Sequence, residues 1–365
     1  MLCRQRELSG YVPDAFGEPR VLPLIVGVMQ PFQYQRPSDA EAAAQAARGK
    51  GAPPGAHAQF IAGGTNMTDY MTLNVMRPEV LIDISHLPKG RYGQIEASEQ
   101  GLRFGTLVRM GQAEDHPVIR THYPVIRDSL VLAASRQIRN MATLGGNPLQ
   151  RTRCEYFREV SWPCNKRRPG SGCSALEGLN REHAVLGTSE SCIATYPGDF
   201  AQALIALDAT VDTIGSPDGA RRIKFAELHR RPGDTPHIET TLYPGELITY
   251  INVPAGPWTQ RSRYVKVRDR QSYQFALASA AVALHMEGNT VREARVALGG
   301  VATVPWRARE AEAVLKGHTL DESRAARAAE AAFAEAHPRE HNAYKIPLGK
   351  QTLIRALLET QALRM

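Results

Sequence analysis

From Met29 onward the hydrophobic and polar positions become periodic. Ser38 and Glu41 have the spacing of a capping box, an Ala-rich run follows them, and Gly49 is a natural stop, which predicts a helix over residues 39–48. Beyond a Gly/Pro loop at 51–55, residues 59–62 read as a strand that runs straight into Gly63-Gly64-Thr65-Asn66. Short apolar runs predict strands at 80–84 and 102–105, and a 3.6-residue period predicts a helix over 128–138. A second glycine turn, Gly145-Gly146-Asn147, comes next. Between Asn147 and Tyr196 neither period survives, and arginine, proline, glycine and cysteine dominate. Patterning resumes with a helix at 199–207 and strands at 210–214 and 245–254, and Pro/Gly content near 254–260 marks a domain boundary. A strand at 264–268, an apolar stretch at 275–286 and a strand at 293–298 follow, with Gly299-Gly300 as its closing turn. Ala-rich helices are predicted after Pro305 and after the capping box of Thr319 and Glu322. Mixed strands with terminal helices predict the α+β class, divided into residues 29–257, with an insert at 148–195, and residues 258–365. Residues 1–28 carry Pro13, Pro19, Pro23 and a short apolar run at 21–28 without a cleavage pattern, so they read as a disordered extension or an upstream start rather than a signal peptide.

Composition narrows the function classes. A 365-residue chain that is 43% hydrophobic supports more than one core. It has no apolar run near the roughly 18 residues that a membrane span needs. The net charge of +7 suggests an anionic partner: nucleic acid, a phosphate-bearing cofactor or an acidic protein surface. The 11 histidines form no convincing constellation with carboxylates or a nucleophile, so acid–base catalysis in this chain is not expected.

Two features carry candidate chemistry. The first is the pair of glycine turns, Ala62-Gly63-Gly64-Thr65-Asn66 and Thr143-Leu144-Gly145-Gly146-Asn147, neither of which is a Walker loop or a GxGxxG fingerprint. Paired glycines let consecutive backbone N–H groups form a concave nest for an anion, and two nests meeting across a fold would suit a diphosphate. Taken singly, each is an ordinary tight turn. The second feature is the cysteines. Of five, Cys154, Cys164, Cys173 and Cys192 crowd into the aperiodic insert, while Cys3 lies in the extension. Successive separations of 10, 9 and 19 residues include no CxxC pair and argue against zinc ribbons and fingers. Four thiolates can ligate a [4Fe-4S] cubane, whose binding would supply the ordering free energy that a core-less loop lacks. Another metal, disulfides or free thiols stay open on spacing alone. Arg151, Arg153, Arg158, Lys166, Arg167 and Arg168 would offset the charge of a cluster; the alternatives are a solvated basic face or a nucleic-acid patch.

The two turns, with Gln137-Ile138-Arg139-Asn140 before the second, resemble the FAD-binding subunit of molybdenum hydroxylases, the xanthine dehydrogenase and carbon monoxide dehydrogenase flavoprotein group. Met29 to Pro37, Pro197-Gly198-Asp199-Phe200, Ala206-Leu207-Asp208-Ala209, Gly245-Glu246-Leu247-Ile248, Tyr264-Val265-Lys266 and Leu298-Gly299-Gly300-Val301-Ala302 continue the resemblance in order over nearly all of residues 29–365. It implies a two-part FAD-binding domain of the PCMH/vanillyl-alcohol oxidase type followed by a small α+β domain. It further implies Ala62, Gly63, Gly64, Thr65, Asn66, Thr143, Gly146 and Asn147 on the diphosphate, with Asp199, Ile248 and Lys266 as further FAD contacts. Without the family, Asp199 reads as a helix N-cap, Ile248 as core and Lys266 as a solvated edge charge. The insert text from Gln150 through Cys173 is similar to one branch, the FAD subunit of bacterial periplasmic aldehyde oxidoreductase, which implies that all four clustered cysteines ligate a [4Fe-4S] cluster. The resemblance implies an electron-transfer subunit that works with a large molybdenum-cofactor chain and a small [2Fe-2S] chain, and passes electrons through FAD to an external acceptor. It implies a periplasmic site by export with a partner; the cytoplasm is the alternative. Competing readings are a xanthine dehydrogenase-like FAD subunit, a self-sufficient flavin oxidase and a metal-stapled nucleic-acid-binding protein.

Overall fold

The computed structural model describes residues 29–48 and 57–364; the extension 1–28 with Cys3, the expected stop Gly49 and the loop 51–55 lie outside the described residues. Three sheets organise the chain. In a parallel three-stranded sheet the buried strand Val80–Asp83 lies between Gln33–Gln35 and Ala58–Ile61. An antiparallel five-stranded sheet runs in the order Ile95–Ser98, Gly101–Gly105, Leu247–Pro254, Thr210–Ser216, Gly219–Lys224. The third sheet, also antiparallel, has the order Trp306–Arg307, Thr290–Gly299, Ala278–Glu287, Ser262–Val267. The helices Arg309–Leu315, Glu322–Ala332 and Lys345–Gln361 share a core with this third sheet, built largely from alanine and valine.

The helix Phe200–Ala206 joins these layers. Its sequence is apolar except for Gln202, whose amide donates to Gly198 O at 3.0 Å, and every residue in it is buried, as expected for a helix enclosed on all sides. Phe200 meets Phe104 of the five-stranded sheet edge to face at 6.3 Å. The core that holds both also takes in Tyr264, Ala281, Ala283 and Ala297 of the third sheet, so the apolar interior runs past the Pro/Gly stretch at 254–260.

Where structure and pattern differ, tertiary contacts give the reason. The expected helix over 128–138 is two pieces, Pro124–Val131 and Arg136–Arg139. Between them Ala134 adopts φ 45°, and the carbonyl of Leu132 accepts from Lys266 Nζ at 3.0 Å and Arg268 Nη1 at 3.1 Å. The capping residues also move. Asp39, not Ser38, accepts the Ala42 N–H at 2.7 Å, and Asp321, not Thr319, accepts the Arg324 N–H at 2.6 Å. The 17-residue helix Lys345–Gln361 was not anticipated by the pattern.

The insert has almost no regular structure: between Gln150 and Thr195 the sole helix is Glu155–Arg158. Its base is closed by Thr152 Oγ1 donating to Thr195 O at 2.9 Å and by the Tyr196 hydroxyl donating to Pro148 O at 3.0 Å.

Candidate cofactor-binding site

The two glycine turns meet at one cavity of about 290 Å³. Ala62, Gly63, Gly64, Thr65, Asn66, Thr143, Gly146, Asn147 and Ile248 all line it. The glycines divide by role. A Cβ at Gly63 would sit 2.0 Å from Met141 O, and one at Gly145 would sit 1.8 Å from Thr106 Oγ1, so these two let the loops close against their neighbours. Gly64 takes φ +74°, where a side chain is strained. At Gly146 the nearest atom to an added Cβ is Thr143 Oγ1 at 3.8 Å, which leaves open space over its backbone.

The turns are fixed from behind. Gly145 N–H donates to Thr106 O at 3.0 Å, Thr68 N–H to Gly64 O at 3.1 Å and Tyr70 N–H to Asn66 O at 3.0 Å. By contrast, the amides of Gly63, Gly64, Thr65, Asn66 and Gly146 donate to no acceptor among the described residues. Asn147 Oδ1, His237 Nδ1 and Arg151 Nη1, all on cavity-lining residues, are buried without a hydrogen-bond partner. Unpaired buried polar groups of this kind call for a ligand. Backbone amides and a guanidinium form the set that a diphosphate needs, and apolar Ile61, Met76 and Leu242 supply surface for rings. FAD therefore fits the residues present.

The far wall comes from residues 237–248, of which 237–244 carry no periodic signal in the sequence while 245–248 open the expected strand 245–254. Glu239 pairs there with Arg151 Nη2 at 2.5 Å and Lys166 Nζ at 3.8 Å. Burial acts to raise its pKa, but Arg151 and Lys166 outweigh it and hold the carboxyl below its ordinary value. Sequence reasoning missed His237 and Glu239 and counted Arg151 only as part of a basic run.

Asp199 and Lys266 are absent from this cavity's lining. They form their own buried ion pair, Lys266 Nζ to Asp199 Oδ2 at 2.8 Å, and the Tyr264 hydroxyl donates to Asp199 Oδ1 at 2.6 Å. With its side chain 1% exposed, Lys266 is not the solvated edge charge that pattern alone suggests. Asp199 stands at the N-cap of Phe200–Ala206 without capping it, because its carboxylate is engaged by the third sheet.

The insert abuts the first turn. Arg153 donates to Asn66 Oδ1 at 2.7 Å and Asp69 Oδ2 at 2.9 Å, and Arg158 holds both oxygens of Asp69 at 2.7 and 2.9 Å. Arg167 donates to the carbonyls of Tyr156 and Phe157 at 2.8 and 2.7 Å, of Val160 at 3.3 Å and of Trp162. The cations expected to neutralise a cluster are thus mainly internal ties; Arg168 is exposed.

Cys154, Cys164, Cys173 and Cys192 are all unbridged. Cys164 and Cys173 face each other as an antiparallel backbone pair, and Cys154 feels the charges of all three others. Burial pushes the Cys154 thiol up strongly and Cys192 up to about 11, so these sulfurs need a cationic centre to exist as thiolates. Among the described residues no group of three or more His, Cys, Asp or Glu side chains is arranged to hold a metal ion. Four unbridged cysteines are the donor type that a [4Fe-4S] cluster uses. His183 lies against the set, its Nε2 3.1 Å from Cys154 Sγ, and burial lowers its pKa to about 4.

Known proteins are similar to this chain in sequence and fold. Residues 30–256 match the family described as the FAD binding domain in molybdopterin dehydrogenase, and residues 263–360 match the CO dehydrogenase flavoprotein C-terminal domain. The chain is 46% identical to the aldehyde oxidoreductase FAD-binding subunit PaoB of Escherichia coli (strain K12), over 92% of this chain and 99% of PaoB. It is 26% identical to the glyceraldehyde dehydrogenase medium chain of Sulfolobus acidocaldarius, over 72% of this chain and 74% of that one. A structure of reconstituted CO dehydrogenase from Oligotropha carboxidovorans superposes with a TM-score of 0.71 at 24% identity, covering 92% of this chain and 99% of the other, which shows the shared fold. With both domains matched and 46% identity over almost the whole length, the chain belongs to the FAD-binding medium subunits of the molybdenum hydroxylase family, flavoprotein subunits of oxidoreductase complexes.

Proposed function

We propose that this chain is the electron-transfer subunit of a molybdenum-containing aldehyde oxidoreductase, which converts an aldehyde to a carboxylic acid in a large molybdenum-cofactor chain with a small [2Fe-2S] chain between them. The observation that carries the reading is the 46% identity to an aldehyde oxidoreductase subunit across both domains. When bound, FAD would accept electrons from the partner chains and deliver them to an external acceptor. The amides of Gly63 to Asn66 and of Gly146 would hold its diphosphate, with Arg151 Nη1 as the cationic donor and Ile248 in the cavity wall.

Within the same reading, Cys154, Cys164, Cys173 and Cys192 are the ligands of a [4Fe-4S] cluster, which would add a second redox centre beside the flavin. Four unbridged cysteines gathered in one insert and the shortage of regular structure there support this assignment. A nucleic-acid role is disfavoured because Arg151, Arg153, Arg158, Lys166 and Arg167 are engaged inside the protein. The complex is proposed to work in the periplasm, carried there folded by a partner, and cell fractionation tests that.

Co-expression with its partner chains, followed by flavin, iron and sulfide analysis, tests the whole reading. Flavin and iron should co-purify with the chain. In Cys164→Ser the broad absorbance near the flavin bands should vanish while FAD stays bound. A flavin-free complex would overturn the main assignment, and flavin without iron would overturn the cluster.

A further inference from the structure

We propose that His183 is a positioning residue for the cysteine loop: its Nε2–H donates a hydrogen bond to the Cys154 sulfur and thereby raises the reduction potential of the cluster that the four cysteines hold. The inference rests on the [4Fe-4S] reading of the loop and assigns a role to a residue that is not a ligand in it.

The geometry carries it. Nε2 lies 3.1 Å from Cys154 Sγ, within hydrogen-bond reach of sulfur. An iron-bound thiolate has no proton to give, so the nitrogen facing it must carry the hydrogen. The other ring nitrogen, Nδ1, is buried and meets no donor or acceptor, so nothing competes for that tautomer. The ring is enclosed: His183 is 6% exposed, with the Tyr156 ring 6.1 Å away.

The backbone of His183 is held by the C-terminal part of the chain. Its N–H donates to Asn180 O at 3.0 Å. Its carbonyl accepts from Lys345 Nζ at 3.2 Å and Asn342 Nδ2 at 3.4 Å, and both of those residues are fully buried. Lys345 also donates to Glu182 O at 2.8 Å and Gly300 O at 2.7 Å, while Asn180 Oδ1 accepts the His341 N–H at 3.0 Å. Residues 341–345 therefore fix the loop 180–184 from outside the insert, and the imidazole reaches Cys154 from a frame that the cysteines do not themselves build.

A hydrogen bond to a cluster sulfur stabilises the more negative, reduced state and moves the potential upward. Cys192 Sγ accepts a comparable bond from the Ala194 backbone N–H at 3.4 Å. At Cys154 the donor is a side chain, so it can be removed without altering the loop's backbone.

The experiment uses the chain co-expressed with its partner chains. Iron content and the midpoint potential of the cluster, followed by electron paramagnetic resonance during a redox titration, are compared for wild type, His183→Ala, His183→Gln and Cys154→Ser. His183→Ala should keep its iron and show a lower midpoint potential, and His183→Gln, which retains an N–H on a side chain, should recover part of the shift. Loss of iron from the alanine variant with retention in the glutamine variant would equally assign the donor to holding the Cys154 thiolate. An unchanged potential in iron-replete His183→Ala overturns the proposal, as does loss of iron from both histidine variants. Retention of the cluster in Cys154→Ser together with its loss in His183→Gln would make His183 a ligand and also overturn it. If the wild-type chain holds no iron, the cluster reading fails instead, which is a distinct result.

Discussion

The cavity between the glycine turns and the cysteine insert are neighbours held together by different means. The cavity is built by backbone: strands end at it, glycines permit close approach, and its unpaired groups are mostly main-chain amides. In the insert the backbone is nearly all coil, and side chains do the fixing, with arginines satisfying carbonyls and carboxylates where ladders would otherwise do so. A site of the first kind is preformed before its ligand arrives. One of the second kind leaves thiols buried with raised pKa values, a state that a bound cationic centre would relieve. The regions touch through Arg153, the residue preceding Cys154, whose guanidinium donates to Asn66 of the first turn.

The largest effect should come from the frame that both regions share. Lys266→Met leaves Asp199 buried without its cation and should cost about 3–5 kcal/mol of stability, read as a fall in thermal midpoint with loss of both flavin and iron. The next separates the regions. Gly63→Ala and Gly145→Ala force a Cβ into Met141 O and Thr106 Oγ1, and should weaken FAD binding by about 100-fold, or about 2.8 kcal/mol, while iron is retained. Gly146→Ala has space for its methyl in the protein and should fold normally, losing affinity only because the methyl occupies the ligand's side of the cavity; equal thermal stability with reduced flavin content checks this. Asp69→Asn cuts the tie to Arg153 and Arg158 and should cost about 1–3 kcal/mol, with faster proteolysis inside 150–195 than at the glycine turns.

The same tie predicts a pH response. Burial tends to raise the pKa of Asp69, but Arg158 and Arg153 outweigh it, so the carboxyl lies below its ordinary value. A depressed carboxylate stabilises the folded state above its unfolded pKa of about 3.9, and that contribution is lost as pH falls through the lower folded value. Hydrogen exchange in the insert should therefore rise below about pH 4 in the wild type, and Asp69→Asn should show the opened behaviour already at neutral pH. The smallest effect is expected at Arg168, exposed on the basic run: Arg168→Ala should stay within about 0.5 kcal/mol of wild type.

Much of the fold was legible because local pattern and tertiary role agree. Strand positions at Val80–Asp83, Gly101–Gly105 and Thr290–Gly299 follow short apolar runs, and Phe200–Ala206 announces its burial by being apolar at every position but Gln202. The helix break after Val131 was not legible, since it depends on Lys266 and Arg268 reaching the Leu132 carbonyl from more than 130 positions away. At the site, paired glycines marked both walls that approach a ligand by backbone. Of the third wall, Ile248 was marked by its motif, whereas 237–244 escaped notice because side chains without period or motif form it.

By itself, the sequence determined which groups could do chemistry: two glycine pairs whose missing Cβ atoms permit a close backbone approach, and four cysteines in a segment too poor in apolar residues to fold on its own. Only the tertiary structure decided how those groups meet. It brought the two turns, 81 residues apart from Gly64 to Gly145, into one cavity, removed Asp199 and Lys266 to a buried pair of their own, and set His183 against Cys154. The physical reason is that φ, size and charge are properties of a residue, whereas a hydrogen bond between distant side chains exists only once the backbone has carried them within reach.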